Sequence, residues 1–186
     1  MEVNLIRPNG IAHWVRIYRL YRSAFPKAER KPFSLIRRMQ REGKTDIWYC
    51  ESGGKFAGLA ITINGPQQIL LDYLAVDARH RGGGLGSKIL RELQRIYKDR
   101  QIFLEIESVW EDVPDREARL RRKRFYLSNG FTPMNVMIRL FGVKMELLST
   151  GCKLNYEQYH SFYRDNYNSW VAEHISEEAH PEAECH

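Results

Sequence analysis

The sequence predicts a mixed α/β or α+β sheet with helices on its faces. Three observations carry that reading. Short runs of strand composition alternate with segments of helical period. Residues 69–90 give an apolar strand (ILLDYLAV), a basic glycine-rich turn (DARHRGGGLG) and the start of a helix (SKIL), in that order. A further strand follows that helix, which makes a strand–helix–strand crossover.

In chain order, residues 4–7 form a short first strand, stopped by Pro8, Asn9 and Gly10. Ile11, Trp14, Val15, Tyr18, Tyr21 and Phe25 then recur at three and four, the spacing of an amphipathic helix, with Arg16, Arg19 and Arg22 on its wet side. Pro26 ends it. After the polar PKAERKPF segment, residues 34–41 make a second helix that buries Leu35, Ile36 and Met39, closed by Gly43. Residues 46–51 and 56–63 are hairpin strands joined by the turn Ser52–Lys55. Asn64, Gly65 and Pro66 lead into the ILLDYLAV strand. Beyond the glycine-rich turn, Leu85, Ile89, Leu90, Leu93, Ile96 and Tyr97 mark a helix to about residue 100. A strand at 101–109, a basic helix ending at Ser128 before Asn129 and Gly130, strands at 134–140 and 143–148, and a helix at 156–166 complete the pattern. Residues 1–175 read as one domain and 176–186 as a flexible acidic tail.

The bulk properties narrow the class of function. The chain has 186 residues, 43% hydrophobic and 28% charged, which is enough to bury a core and too apolar for disorder. No apolar run approaches the ~20 residues of a membrane helix, and MEVNLIRPNG has no apolar signal-peptide core, so a cytoplasmic location and no membrane partner are expected. Cys50, Cys152 and Cys185 are too scattered for a disulfide framework or a zinc site, and His180, Cys185 and His186 have nothing to fix a metal geometry. The net charge of +6 favours anionic partners, either nucleic acid or a phosphate-rich cofactor. Nucleic acid is disfavoured because the aromatic residues follow the apolar periods and are not interleaved with Arg and Lys as stacking platforms.

The glycine-rich turn carries the chemistry. Gly82, Gly83, Gly84 and Gly86 let backbone N–H groups approach an anion and adopt positive φ cheaply. The following helix adds its N-terminal partial charge. Arg79, His80 and Arg81 supply cations at the entrance, and Ser87 adds a hydroxyl in the first turn. A flexible turn without a ligand is the bland alternative. A P-loop is excluded because Gly86, Ser87 and Lys88 stand in the wrong order for its Gly-Lys-Ser/Thr ending. A dinucleotide fingerprint is excluded because residues 77–81 separate the strand from the glycines.

The run Arg79-His80-Arg81-Gly82-Gly83-Gly84, continued by Leu85-Gly86, resembles the Arg/Gln-x-x-Gly-x-Gly/Ala signature of the GNAT N-acetyltransferase superfamily. The preceding LDYLAVD is similar to that family's fourth strand, and FYLSNGF at 125–131 looks like the end of its fourth helix. The resemblance covers residues 46–148 in order. It implies a central mixed sheet splayed open between its two middle strands, with acetyl-CoA as co-substrate and no metal. Backbone groups of Leu74, Ala75 and Val76 would pair with the pantetheine arm, and those of Arg81 through Ser87, including Leu85, would hold the pyrophosphate. An oxyanion donor would come from a backbone N–H near Val76. Tyr126 would protonate the leaving thiolate, or else only pack on pantetheine.

Asp72, Glu105 and Glu107 are the candidate bases for the amine proton, with a purely electrostatic or ion-pairing role as the alternative. Glu105 and Glu107 lie two apart on one strand and share a face. Arg119 stands where the family often has a coenzyme-contacting Asn, and the DREARLRRKR run is a solvated face or an attractor of phosphates. The resemblance nominates Phe25, Glu29, Arg30 and Phe33, with Glu107, Met137, Phe141 and Met145, for the acceptor pocket. Glu29 would meet a cationic amine or form a loop salt bridge. Three functions follow: an acetyltransferase acting on a primary amine of a small molecule, peptide or protein; an acyl-CoA sensor of the same fold; and, less favoured, a nucleic-acid-binding protein. The sequence leaves a homodimer open.

Overall fold

A computed structural model of the chain describes residues 2–167 and 169–180. Its strands are β1 (Val3–Ile6), β2 (Thr45–Ser52), β3 (Lys55–Asn64), β4 (Gln68–Val76), β5 (Gln101–Glu107), β6 (Thr132–Leu140), β7 (Val143–Ser149) and β8 (Ile175–Glu178). Its α-helices are α1 (Gly10–Ala24), α2 (Phe33–Arg41), α3 (Leu85–Ile96), α4 (Arg116–Leu127), α5 (Tyr156–Asn166) and α6 (Ser169–Ala172). The strands form one mixed sheet in the order β1-β2-β3-β4-β5-β7-β6-β8, the expected fold class. By compactness the chain forms two units, residues 1–64 with 71–98, and residues 65–70 with 99–186, so β4 contributes to both.

In the first unit, β1 runs antiparallel to β2 and β2 antiparallel to β3. The β2–β3 turn uses Gly53 and Gly54, both at positive φ. β3 reads KFAGLAITIN and is buried from Phe56 to Ile63, which is why it lacks a polar alternation. One core gathers Ile17, Leu20 and Tyr21 of α1, Ile36 of α2, Ile47 and Tyr49 of β2, Leu59 and Ile61 of β3, and Tyr73 and Ala75 of β4. α3 turns Leu85, Ile89, Leu90 and Leu93 inward, the stripe its three–four spacing dictates. Gly58 admits that helix: a Cβ there would lie 2.5 Å from the Ala75 carbonyl and 3.3 Å from Ile89. A polar knot ties the unit together. The Tyr97 hydroxyl donates to Asp46 (2.8 Å), accepts from the Trp48 indole (3.2 Å) and meets Thr62 at 2.7 Å.

In the second unit, β4 opens parallel to β5, with Gln68–Leu70 registered against Gln101–Phe103. β5 pairs antiparallel with β7, β7 with β6, and β6 with β8. A capping box starts α5: Asn155 accepts from the Gln158 amide and the Gln158 side chain accepts from the Asn155 amide. The helix then buries Tyr159, Phe162 and Tyr163, and Phe103 meets the first two edge-on. Gly65 is required by this packing, because its Cβ would come within 2.4 Å of Phe162.

The sequence-derived elements hold to within a few residues up to α5. The C-terminal expectation needs correction. Residues 176–178, read above as flexible tail, lie in β8, where Ser176, Glu177 and Glu178 pair with Arg139, Ile138 and Met137. Glu178 is fixed by Arg139 (2.7 Å) and Lys144 (3.4 Å). α6 was also not read from the sequence. Residues 181–186, with Cys185 and His186, lie outside the described residues. Among the described residues, no group of three or more His, Cys, Asp and Glu could hold a metal, and no helix is long and apolar enough to cross a membrane.

Candidate functional site

In the first unit, β4 delivers the chain through Leu74, Ala75 and Val76 to Asp77, whose amide bonds the Ala57 carbonyl of β3 (2.9 Å). Asp77 then caps a 3-10 turn at Ala78–His80 by accepting from the Arg79 amide (3.0 Å). Its carboxylate also receives Arg79 Nε (3.0 Å) and a terminal nitrogen (2.9 Å). The Arg79 guanidinium holds the Asp77 carboxyl down at about 2. The entrance therefore carries an Asp77–Arg79 ion pair, where the sequence reading had Arg79 as a cation for phosphate oxygens. Arg81 turns back, its Nε donating to the Val76 carbonyl at 3.3 Å.

Gly82 (φ 83°) and Gly84 (φ 69°) occupy the left-handed region, and Gly84 is the N-cap of α3. A Cβ at Gly82, Gly83 or Gly84 would meet nothing within 4 Å, so backbone conformation and access, not crowding by protein, call for glycine here. Among the described residues the N–H groups of Gly82, Gly83 and Gly84 find no acceptor. Those of Leu85, Gly86 and Ser87 open the helix and have no partner within it, as helix geometry demands. Six successive donors at a helix N-terminus fit the phosphates of a nucleotide-derived cofactor.

The acceptor-side nominees of the first unit are tightly bound into structure. Phe25 packs edge-on against Tyr73 (4.8 Å) and near Tyr21, and Phe33 packs on Tyr18 and Tyr21. Both are partly buried rim residues of the core. Asp72 forms a 2.6 Å ion pair with Lys31 in which its side chain is only 8% exposed. Tyr73 donates to the Glu29 carbonyl (2.9 Å) and accepts from the Lys31 amide (3.1 Å), while Tyr21 donates to the Lys31 carbonyl (2.9 Å). Burial pushes the Tyr73 hydroxyl far up. Glu29 itself is exposed.

In the second unit, Glu105 Oε1 accepts from Tyr159 (2.6 Å) and Tyr163 (2.7 Å), one turn apart on α5. Glu107 is bound by Arg122 and lies 3.8 Å from Arg119. The shared strand parity of the two glutamates is thus expressed toward different helices. Arg119 is nearly enclosed and reaches Glu111 (3.2 Å), Asp115 (3.2 Å) and the Ser108 carbonyl (3.0 Å). Lys123 bonds both oxygens of the buried Glu146 at 2.8 Å. The basic run of α4 therefore includes inward-committed residues, whereas Arg121 and Arg124 are exposed. Tyr126 sits edge-on to Phe125 and Phe131. Burial pushes its hydroxyl up to about 12, and among the described residues it has no hydrogen-bond partner. Of the remaining nominees, Met137 is buried, Met145 half-buried, and Phe141 exposed at a φ of 47°.

The sequence reading did not find the two tyrosines on Glu105. Their i, i+4 spacing was legible as a helix face, but nothing in it named a partner 54 and 58 residues away.

Residues 43–133 match the family model described as an acetyltransferase (GNAT) domain. Through this stretch, just under half of its length, the chain is similar to the GNAT acetyltransferase domain. YjbC of Bacillus subtilis (strain 168), which carries an acetyltransferase name, is 34% identical over 107 residues. That alignment covers 58% of this chain and 52% of YjbC, so the chain spans about half the length of this relative. A GNAT-family protein of Bacteroides thetaiotaomicron superposes with a TM-score of 0.72 at 21% identity, covering 90% of this chain and 99% of its own. An aminoglycoside 6'-N-acetyltransferase complexed with coenzyme A superposes with a TM-score of 0.63 at 13% identity, covering 80% and 96%. At those identities the two likenesses speak to the fold.

Proposed function

We propose that this chain is an N-acetyltransferase that passes an acetyl group from acetyl-CoA to a primary amine of a small molecule, peptide or protein, by direct attack and in the cytoplasm. Residues 1–175 would act as one catalytic domain. The observation that carries the reading is the row of unpartnered N–H groups from Gly82 into α3, directly after β4. The coenzyme seen with the aminoglycoside acetyltransferase supports its extension to coenzyme A.

Acetyl-CoA would supply an activated acyl thioester. On this reading Gly82 through Ser87 hold its pyrophosphate, and Arg81 adds charge from the loop. Arg79 contributes only if it leaves Asp77. Leu74, Ala75 and Val76 offer strand groups to the pantetheine arm, and an N–H near Val76 faces the developing oxyanion. Tyr126 keeps its proton through neutral pH and can donate it to the leaving sulfur. The amine must lose a proton. Glu105 is the favoured acceptor, directly or through water, because Asp72 and Glu107 already serve cations.

A second reading, a non-catalytic acyl-CoA sensor, is favoured by one observation: all three candidate bases already have donors. Thiol release from acetyl-CoA, measured over a panel of amines and peptides, decides between them. Amine-dependent release is expected. Tight coenzyme binding with no release from any acceptor would overturn the enzymatic reading in favour of the sensor.

A further inference from the structure

Arg30 is the one arginine among the described residues with a buried side-chain nitrogen, Nε, that has no hydrogen-bond partner. No ion pair, ring contact or side-chain hydrogen bond engages its guanidinium among the described residues. A buried polar group without a partner is costly, more so when charged, and such a group in a folded protein calls for an explanation. Relaxation would be simple if the surrounding loop could move, but it is pinned. Both neighbours of Arg30 are held: Glu29 by the Tyr73 hydroxyl, and Lys31 by Asp72, Tyr73 and Tyr21. The Arg30 amide itself bonds the Lys27 carbonyl (3.4 Å). The loop presents a guanidinium on a fixed backbone.

A second, independent observation concerns charge. Residues 10–44 contain ten Lys and Arg against two Asp and Glu, a balance of +8, so the rest of the chain sums to −2. The excess that sets the protein's charge lies in this segment, away from the glycine-rich loop. The segment to residue 42 also lies outside the stretch matched by the family model. The loop carrying Arg30 is tied to β4 at Asp72 and Tyr73. At ~3.3 Å per strand residue that point is about 13–16 Å upstream of Asp77, where the phosphate cradle begins. That separation along β4 sets the loop carrying Arg30 apart from the start of the phosphate cradle, which argues for an anion other than the pyrophosphate.

We propose that Arg30 receives an oxyanion on the acceptor itself, so that the preferred substrate is an amine that also carries a carboxylate or phosphate group. The planar guanidinium fork suits either group, bidentately. This inference rests on the acetyltransferase reading for its substrate role. It places the discrimination in the α1–α2 loop and reverses the expectation that Glu29 there selects a cationic amine.

The test compares matched acceptors: 3-aminopropionate and aminoethyl phosphate against propylamine and 1,3-diaminopropane, each with saturating acetyl-CoA. The expected result is kcat/KM at least about 10-fold higher for the anionic amines than for propylamine, with the ratio falling toward one in Arg30→Gln and only partly kept in Arg30→Lys. Coenzyme A affinity, measured by calorimetry, stays at the wild-type value in both variants. The relative rates of the carboxylate and phosphate amines identify which oxyanion is preferred. Preference for the diamine, or a ratio unmoved in Arg30→Gln, overturns the inference while leaving the acetyltransferase reading intact. If none of these four amines is acetylated, the acetyltransferase reading is left to its own wider panel, and binding alone decides this inference. Acetate and inorganic phosphate are added to coenzyme-saturated protein and the rise in Tm is followed. A rise lost in Arg30→Gln supports the anion site, and an equal rise in both proteins overturns it.

Discussion

At the scale of single residues, protons and pairings set the predictions. Burial raises the Tyr126 hydroxyl to about 12. A raised value extends the neutral, proton-donating form upward past pH 10, where an ordinary tyrosine ionises. The kcat profile should therefore show no loss traceable to Tyr126 up to about pH 11, and phenolate absorbance from it should emerge only near 12. Tyr126→Phe should lower kcat about 10²-fold or more with coenzyme affinity kept; an unchanged kcat at saturating substrates would leave Tyr126 a packing residue. Asp77 works in the opposite sense. Its carboxyl is depressed to about 2, chiefly by the Arg79 hydrogen bond, so its stabilisation is whole above about pH 4 and is lost as pH falls through 2. Asp77→Asn should flatten Tm against pH in that window. Asp72 separates structure from chemistry: removing one partner of a buried ion pair costs ~3–5 kcal/mol, so Asp72→Asn should show a large fall in urea midpoint. A catalytic base without that structural duty would lower turnover alone. None of these pairings was legible in advance. Asp72 and Lys31 are 41 residues apart, and a sequence displays carboxylates without displaying which cation folds onto them.

At the scale of elements, the order of strand, glycine turn and helix was readable because each part has a local cause. Strand composition, positive-φ glycines and a three–four apolar stripe are all written in consecutive residues. The same logic explains what was missed. β8 has one inward apolar residue, Ile175, and three polar ones, so it has no period of its own and owes its form to pairing with β6. α6 is four residues long, too short for a periodic signal. Among the glycines, the structure separates three demands that the sequence shows as one letter. Gly58→Ala meets the Ala75 carbonyl at 2.5 Å and should destabilise strongly, by about 1–3 kcal/mol or more. Gly82→Ala and Gly84→Ala have room but the wrong φ, at about 1–2 kcal/mol. Gly83→Ala has neither problem and should melt like the parent. Any loss of coenzyme affinity in that last variant, read by calorimetry, then measures how closely the ligand approaches the backbone.

At the scale of the whole molecule, charge and family resemblance divide along the chain. The part that matches the family carries the glycine loop and Tyr126, whereas the basic excess precedes it. Because long-range attraction is screened over about 8–10 Å at ordinary salt, association of coenzyme A should slow as ionic strength rises, with dissociation changed less; a flat association rate in stopped-flow would show that the +6 plays no steering part. The tryptophans are divided too. Trp48 donates to Tyr97 within the first unit's polar knot, under the Arg7 guanidinium at 4.0 Å, and Trp14 lies under Arg37 at 3.4 Å. Trp110 and Trp170 belong to the second unit and are 45% and 56% exposed. Iodide should therefore silence the second pair first and leave an emission that belongs to the first unit. The native chain thus carries its own optical labels, and the melting of either half can be watched by light alone, with no dye and no substitution.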